Sequence, residues 1–380
     1  MDTLISRGVP GDYIFHVAAY SIYQSYSVII LQILFGFIAI VYIYRLAQLL
    51  FHSHLVSALA ALTYMLLPGT LVQPHTLVTE TFYNPLLVIS LYYLVKYLLE
   101  GSLPALLIAG LTASIASFIR LIFVLYPIVF FIIIFLDAKG KRIKDGVLYL
   151  MLAFSIPLLW MSLNFFHTGQ FTMGGSRLSR NFYRRVQRMA NLEPIELNPA
   201  QYPDWEMEIE DFLEYLSNHP TAFVKTLRAD VYNLGLNTGI NTFAGRYLDL
   251  YEMPESTQYW KNIRDQQGLS GTITELFNWS PLLIISNLLA TILWLIFLPF
   301  SLSGFVLFLK SKQFPSAIKA TMITFPVYII STQFVASTPR WSHRTPAEFV
   351  LTIMFAFAVV RFGKRLKGIH LKKDTVPSVA

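Results

Sequence analysis

The sequence predicts an all-α polytopic membrane protein: a bundle of about nine transmembrane helices with a large, mostly helical extracytoplasmic segment. Three observations carry this. Of 380 residues, 55% are hydrophobic and only 13% are charged, against about 25% charged in soluble domains. The mean hydropathy is +0.53. The apolar residues also gather into runs close to the roughly 20 residues that a spanning helix needs. A soluble enzyme and a disordered chain are both excluded by these numbers. The chain has no cysteine, which rules out a disulfide framework, a thiolate metal site and a cysteine nucleophile.

The expected helices follow the apolar runs in order. The first covers about residues 28–50, the second 55–72 and the third 81–99. The stretch 103–136 is apolar throughout except for Arg120, and it reads as two short helices with Arg120 at the turn. The sixth helix covers 147–165, and the last three cover 281–309, 317–336 and 346–362. The chain therefore divides into N-terminal membrane helices (1–165), an extracytoplasmic segment (166–280), and three C-terminal helices with a basic tail (281–380).

Orientation follows from the basic residues, which gather on the cytoplasmic side. DAKGKRIKDG after residue 136, KSKQ after the seventh helix and RFGKRLKGIHLKK at the C-terminus all fall on one side under this count, as do Arg45 and Lys96. The segment 166–280 then lies outside. It holds 14 of the 22 acidic residues and 10 of the 29 basic ones. Its net negative charge against a basic remainder supports that side. The N-terminus also starts outside, so the first helix either inserts as a reverse anchor or follows a helix upstream of it.

The outer segment shows helical periodicity. In 204–219, Trp205, Ile209, Phe212 and Leu216 share one face and Glu206, Glu210 and Glu214 another, with Asp204 as the expected cap. Arg177, Arg180, Arg184 and Arg188 recur at helical spacing, which suits lipid phosphates or structural ion pairs. Residues 219–237 read as a further amphipathic helix. No phosphate-binding glycine loop and no metal-ligand spacing occur in the sequence.

Ionisable residues at membrane depth are costly, so each is a candidate site residue. Glu80 begins the third helix at its outer end. Arg120 sits among apolar residues with no carboxylate near it in sequence. The late outer loop STPRWSHRTPAE carries Arg340, His343, Arg344 and Glu348. Arginine forks match phosphate oxygens. The expectation is that Arg120, Arg340 and Arg344 converge on one outer-facing cavity for a lipid phosphate, with Glu80 assisting a hydroxyl.

The order of these motifs resembles the GT-C class of membrane glycosyltransferases, in particular the protein-mannosyltransferase and aminoarabinose-transferase-like group. The resemblance covers roughly residues 8–365. It rests on SVIILQILFGFIAIVYIYRLAQLLF, SALAALTYMLLPGTL, LVTETFYNPLLVISLYYL, ASFIRLIFVLYP, NFFHTGQFTMGG and RWSHRTPAEFVL. It implies transfer of a sugar from a polyprenyl-phosphate carrier to a lipid, glycan or protein hydroxyl on the outer face of the plasma membrane, usually with inversion. Glu80 matches the family's second acidic residue near the site. Arg120 and the loop with Arg340, His343 and Arg344 match the expected carrier-phosphate contacts. The family's first helix and its acidic outer loop have no counterpart here. Asp12, near the point where the substrate-facing loop returns to the membrane, is the remaining base candidate. No cofactor, metal or nucleic acid is expected; the bilayer is. Two rivals stand beside transfer. One is a carrier-binding protein of the same fold without catalysis. The other is a transporter, which the lack of an internal repeat disfavours.

Overall fold

The computed structural model describes residues 10–73, 79–137, 143–173, 177–193, 197, 202, 205–236, 263–268, 270–271, 274–275, 281–336 and 341–366. Helices account for nearly all of these, and no strand occurs among them. The first helix, α1 (Pro10–Phe51), has 42 residues and so extends about 63 Å at 1.5 Å per residue. That exceeds a hydrocarbon core of about 30 Å, and its apolar spanning part is Tyr26–Phe51. The helix thus starts well before the apolar run at residue 28.

The expected second helix is two helices, α2 (His54–Leu66) and α3 (Pro68–Val72). Pro68 causes the break, because a residue before proline is driven out of the helical region. Leu67 accordingly has φ −63° and ψ 133°. At the start of α2, the Ser53 hydroxyl accepts a hydrogen bond from the Val56 N–H. Next comes α4 (Glu80–Glu100), which ends at Gly101 in the left-handed conformation, a common helix stop. Helix α5 (Leu103–Ile119) ends at Arg120, whose backbone is extended at φ −144° and ψ 121°. A single turn of 3-10 helix, Leu121–Phe123, leads to α6 (Tyr126–Asp137). The break at Arg120 is thus where the sequence put it. The remaining elements are α7 (Ile143–Thr168), α8 (Arg177–Ala190), α9 (Ile209–Asn218), α10 (Pro220–Leu236), α11 (Pro281–Lys310), α12 (Ser316–Ala336) and α13 (Trp341–Leu366).

Nine spanning helices were expected. Among the described residues, five helices are long and apolar enough to cross a membrane: the second half of α1, α4, α7, most of α11 and most of α13. Helices α2 and α5 and the stretch Leu121–Leu136 are apolar but shorter. Helix α12 has spanning length but is more polar, with Lys319, Thr321, Thr324, Thr332 and Gln333. Interruption by Pro68 and Arg120 accounts for much of the difference.

Helix α4 is the most enclosed of the spanning helices and touches α1, α5, α12 and α13. Its buried residues Phe82, Tyr83, Leu87, Leu91 and Leu94 run through the main core. Close crossings hold the bundle together. At Gly110 of α5 an added Cβ would stand 2.8 Å from Leu152 Cβ of α7, and at Gly304 of α11 it would run into the backbone carbonyl of Met354 in α13. Small residues permit such approach in membranes.

The outer segment packs a small core of its own, in which Phe182 of α8 stacks on Phe212 of α9 with ring centroids 4.4 Å apart. Helix α9 starts at Ile209 rather than 204, because Trp205 has φ +64° and Glu208 is extended. Phe212 and Leu216 pack as expected, whereas Trp205 and Ile209 are exposed. Helix α8 docks on α12 and α10 docks on α13. The segment therefore sits on the bundle end that carries Glu80 and the start of α13.

Candidate functional site

The polar groups of this end sit on four elements. Glu80 lies in the first turn of α4, and Arg120 sits at the break after α5. His343 and Arg344 open α13, and Gln73 follows α3. Glu80 Oε1 is 2.5 Å from Arg120 Nη1, and the Thr79 hydroxyl donates to Glu80 Oε2 at 3.0 Å. His343 lies within electrostatic reach of Glu80. The Arg120 guanidinium also faces the Tyr83 ring, 5.9 Å from its centroid. Arg120 thus has a carboxylate partner, which comes from another helix. The sequence had left it without one, because partners contributed by a different helix leave no local trace.

Arg344 is only 4% exposed, and its partners come from the protein itself. Its Nε donates to Glu348 Oε1 at 2.6 Å, and its Nη1 donates to the Leu234 carbonyl of α10. Its plane lies 3.8 Å from the centroid of the Trp294 ring. A buried guanidinium needs such a set of acceptors and a polarisable face to offset its desolvation. Arg344 therefore ties α13 to α11 and to the outer segment. Arg340 lies outside the described residues. The backbone of Asp12 lies in α1, and its side chain is outside the described set.

A second layer is made of neutral polar groups that the sequence reading missed. Gln73 Nε2 donates to the Thr345 hydroxyl at 2.6 Å. Asn84 Nδ2 reaches the same hydroxyl and Gln73 Oε1, both at 3.2 Å. The Thr81 hydroxyl donates to the Gln73 carbonyl at 3.2 Å. Asn84 stands one helical turn after Glu80, at the i, i+4 spacing that shares a face, and that was the one signal available in the sequence.

The outer segment is clipped to this end by a buried cluster. Asp230 of α10 pairs with Arg185 Nη1, and with Arg188 Nη1 at 2.6 Å. Arg185 also donates to the Gln333 carbonyl of α12 at 3.4 Å. Burial pushes the Arg185 pKa down, and Asp230 opposes that. Arg180 pairs with Glu206 at 3.3 Å. Of the four arginines at helical spacing, Arg180 and Arg188 are thus engaged in ion pairs, and Arg185 joins them from outside that set. Among the described residues, no group of three His, Asp or Glu stands close enough to hold a metal ion.

The description of dolichyl-phosphate-mannose-protein mannosyltransferase fits a family whose model matches residues 17–163. Among solved structures, the chain is similar to ArnT from Cupriavidus metallidurans bound to undecaprenyl phosphate. The TM-score is 0.51 at 12% identity, over 95% of this chain and 52% of that one. The fold is that of the GT-C membrane glycosyltransferases. No curated protein matches this chain by sequence. The chain spans about half the length of the ArnT chain. The GT-C resemblance drawn from the sequence motifs is borne out at the level of the class. The family match includes both partners of the Glu80–Arg120 pair.

Proposed function

We propose that the protein is a membrane glycosyltransferase that moves a sugar from a polyprenyl-phosphate carrier to a hydroxyl. The chemistry would take place at the bundle end that bears Glu80, Arg120 and His343. One observation carries the reading: a family match over 17–163 encloses a buried carboxylate–arginine pair at one end of a GT-C fold. The ArnT chain was solved with undecaprenyl phosphate, which supports a polyprenyl-phosphate donor here. The clustering of basic residues in the opposite loops supports an outer-face location for this end, in the plasma membrane.

In the reaction, the acceptor hydroxyl oxygen attacks the anomeric carbon as the bond from that carbon to the carrier phosphate oxygen breaks. The carrier leaves as the phosphate with the bonding electron pair, and the configuration inverts. Glu80 takes the hydroxyl proton, with Asp12 as the second candidate. Arg120, together with His343 and Arg340, stabilises the charge growing on the phosphate. Arg344 positions this set by holding the start of α13 against α10.

A second reading, a carrier-binding protein without catalysis, is favoured by one observation: Glu80 is already engaged by Arg120. The test is to reconstitute the full chain in vesicles with a panel of undecaprenyl-phosphate sugars. Release of undecaprenyl phosphate that depends on an added acceptor supports transfer. Carrier binding without release across the panel supports the second reading.

A further inference from the structure

A cavity of about 340 Å³ opens between α1, α2, α3 and α4. Its mouth is formed by Ile33, Phe37, Met65 and Leu71, all large apolar side chains exposed on the bundle surface. In a bilayer this mouth faces the acyl chains. The floor is different. Tyr64, Gln73, Thr81 and Asn84 line it and are all buried, and no charged residue is among the lining groups.

One floor atom lacks a hydrogen-bond partner: the carbonyl oxygen of Asn84, whose residue is 1% exposed. The Tyr64 hydroxyl is hydrogen-bonded with the Asn84 and Thr70 side chains. A buried acceptor without a donor costs about 1–3 kcal/mol, so the floor calls for a donor from a ligand. An ionised phosphate or carboxylate offers only acceptors and would find no cation here. A hydroxyl both donates and accepts, so it can donate to Asn84 Oδ1 and accept from the neighbouring Tyr64 or Thr70 hydroxyl. The volume lies at the low end of small-molecule sites, about 300–1,000 Å³, enough for a head and the start of a chain.

From these observations we propose that the cavity binds the uncharged, hydroxyl-bearing head of a lipid that enters sideways from the bilayer. If the glycosyltransferase reading holds, this lipid alcohol is the acceptor. The floor adjoins the site: Thr81 follows Glu80 in the chain, and Thr345, which follows Arg344, hydrogen-bonds both Gln73 and Asn84. The binding itself does not depend on that role.

The test uses the full chain in lipid nanodiscs and photoreactive diazirine analogues of three lipids: 1-oleoylglycerol, methyl oleate and oleoyl lysophosphatidate. The 1-oleoylglycerol probe should label residues 33–40 and 64–85 about tenfold more than either of the others, the worth of one to two net hydrogen bonds. Gly36→Leu should cut that labelling about tenfold with an unchanged melting temperature, since Gly36 lines the cavity and a Cβ there meets nothing within 4 Å. Asn84→Leu should remove the preference over methyl oleate. Equal labelling by methyl oleate overturns the proposal, as does full labelling of Gly36→Leu. Competition by unlabelled undecaprenyl phosphate would also overturn it, because the cavity would then seat the carrier chain. Undecaprenyl phosphate binding measured on the same sample separates the two readings. Its loss counts against the transferase reading and leaves the lipid-alcohol site standing.

Discussion

Glu80 Oε1 meets Arg120 Nη1 at 2.5 Å, joining the first turn of α4 to the break that ends α5. Both side chains are largely buried, so each offsets the desolvation of the other. Removing one partner of such a pair costs about 3–5 kcal/mol, while replacing both with apolar residues is often close to neutral. Glu80→Gln and Arg120→Met should each lower the melting temperature in detergent. The double variant Glu80→Leu/Arg120→Met should recover most of it. Sugar transfer should stay depressed about 10²–10⁴-fold in the double variant, the usual worth of a positioned acid or base. Recovery of both stability and transfer would make the pair purely structural.

Arg344 makes a sharper distinction between holding and binding. Its fork reaches Glu348 and the Leu234 carbonyl while its plane covers Trp294. Lysine keeps the charge but cannot make these contacts together. Arg344→Lys should therefore raise amide hydrogen exchange across α10, measured by mass spectrometry, by at least about tenfold. If exchange in α10 is unchanged while undecaprenyl phosphate binding falls, Arg344 contacts the carrier instead.

Two ion pairs made by α10, through Asp230 and through Lys225 with Glu193, offer a matched contrast. Asp230 is fully buried between Arg185 and Arg188, so Asp230→Asn leaves buried cationic charge and should cost about 3–5 kcal/mol. Glu193 pairs with Lys225 at 2.8 Å on the surface. The hydrogen bond from Lys225 comes first among the causes that lower the Glu193 pKa. A lowered carboxylate contributes stability above its unfolded pKa and loses it as pH falls through the folded value. Any contribution of that pair should thus vanish in acid, and Lys225→Gln should melt with the wild type at neutral pH. Similar losses for both variants would mean that the clip is no stronger than a surface contact.

Most of the bundle was legible because apolar runs report spanning helices directly. Arg120 was legible as a break because a charge between two apolar stretches has no place in a continuous buried helix. The partners were not legible. Glu80 and Arg120 come from successive helices, Asp230 reaches α8 from α10, and Thr345 meets Gln73 across most of the chain. Nothing local marks such pairs. Pro68 was read as part of one helix because the hydropathy does not change across it, although the backbone does. The neutral groups Gln73, Asn84 and Thr345 were overlooked because a single amide or hydroxyl barely lowers the mean hydropathy of an apolar run.

The glycines rank the helix crossings. At Gly304 an added Cβ would collide with the Met354 carbonyl, which is backbone and cannot swing aside. At Gly110 it would stand 2.8 Å from Leu152 Cβ, and at Gly36 it would meet nothing within 4 Å. Alanine is favoured over glycine in a helix by about 1 kcal/mol, whereas overpacking costs about 1–3 kcal/mol. Gly36→Ala should therefore match or slightly exceed the wild-type melting temperature. Gly110→Ala should fall below it, and Gly304→Ala should fall furthest, since α11 must move away from α13. Thermal unfolding of the three variants in one detergent gives the order. A Gly304→Ala protein that melts with the wild type would show that the backbones of α11 and α13 do not approach at that point. The stacking of Arg344 on Trp294, which needs the same two helices in contact, would then also be in error.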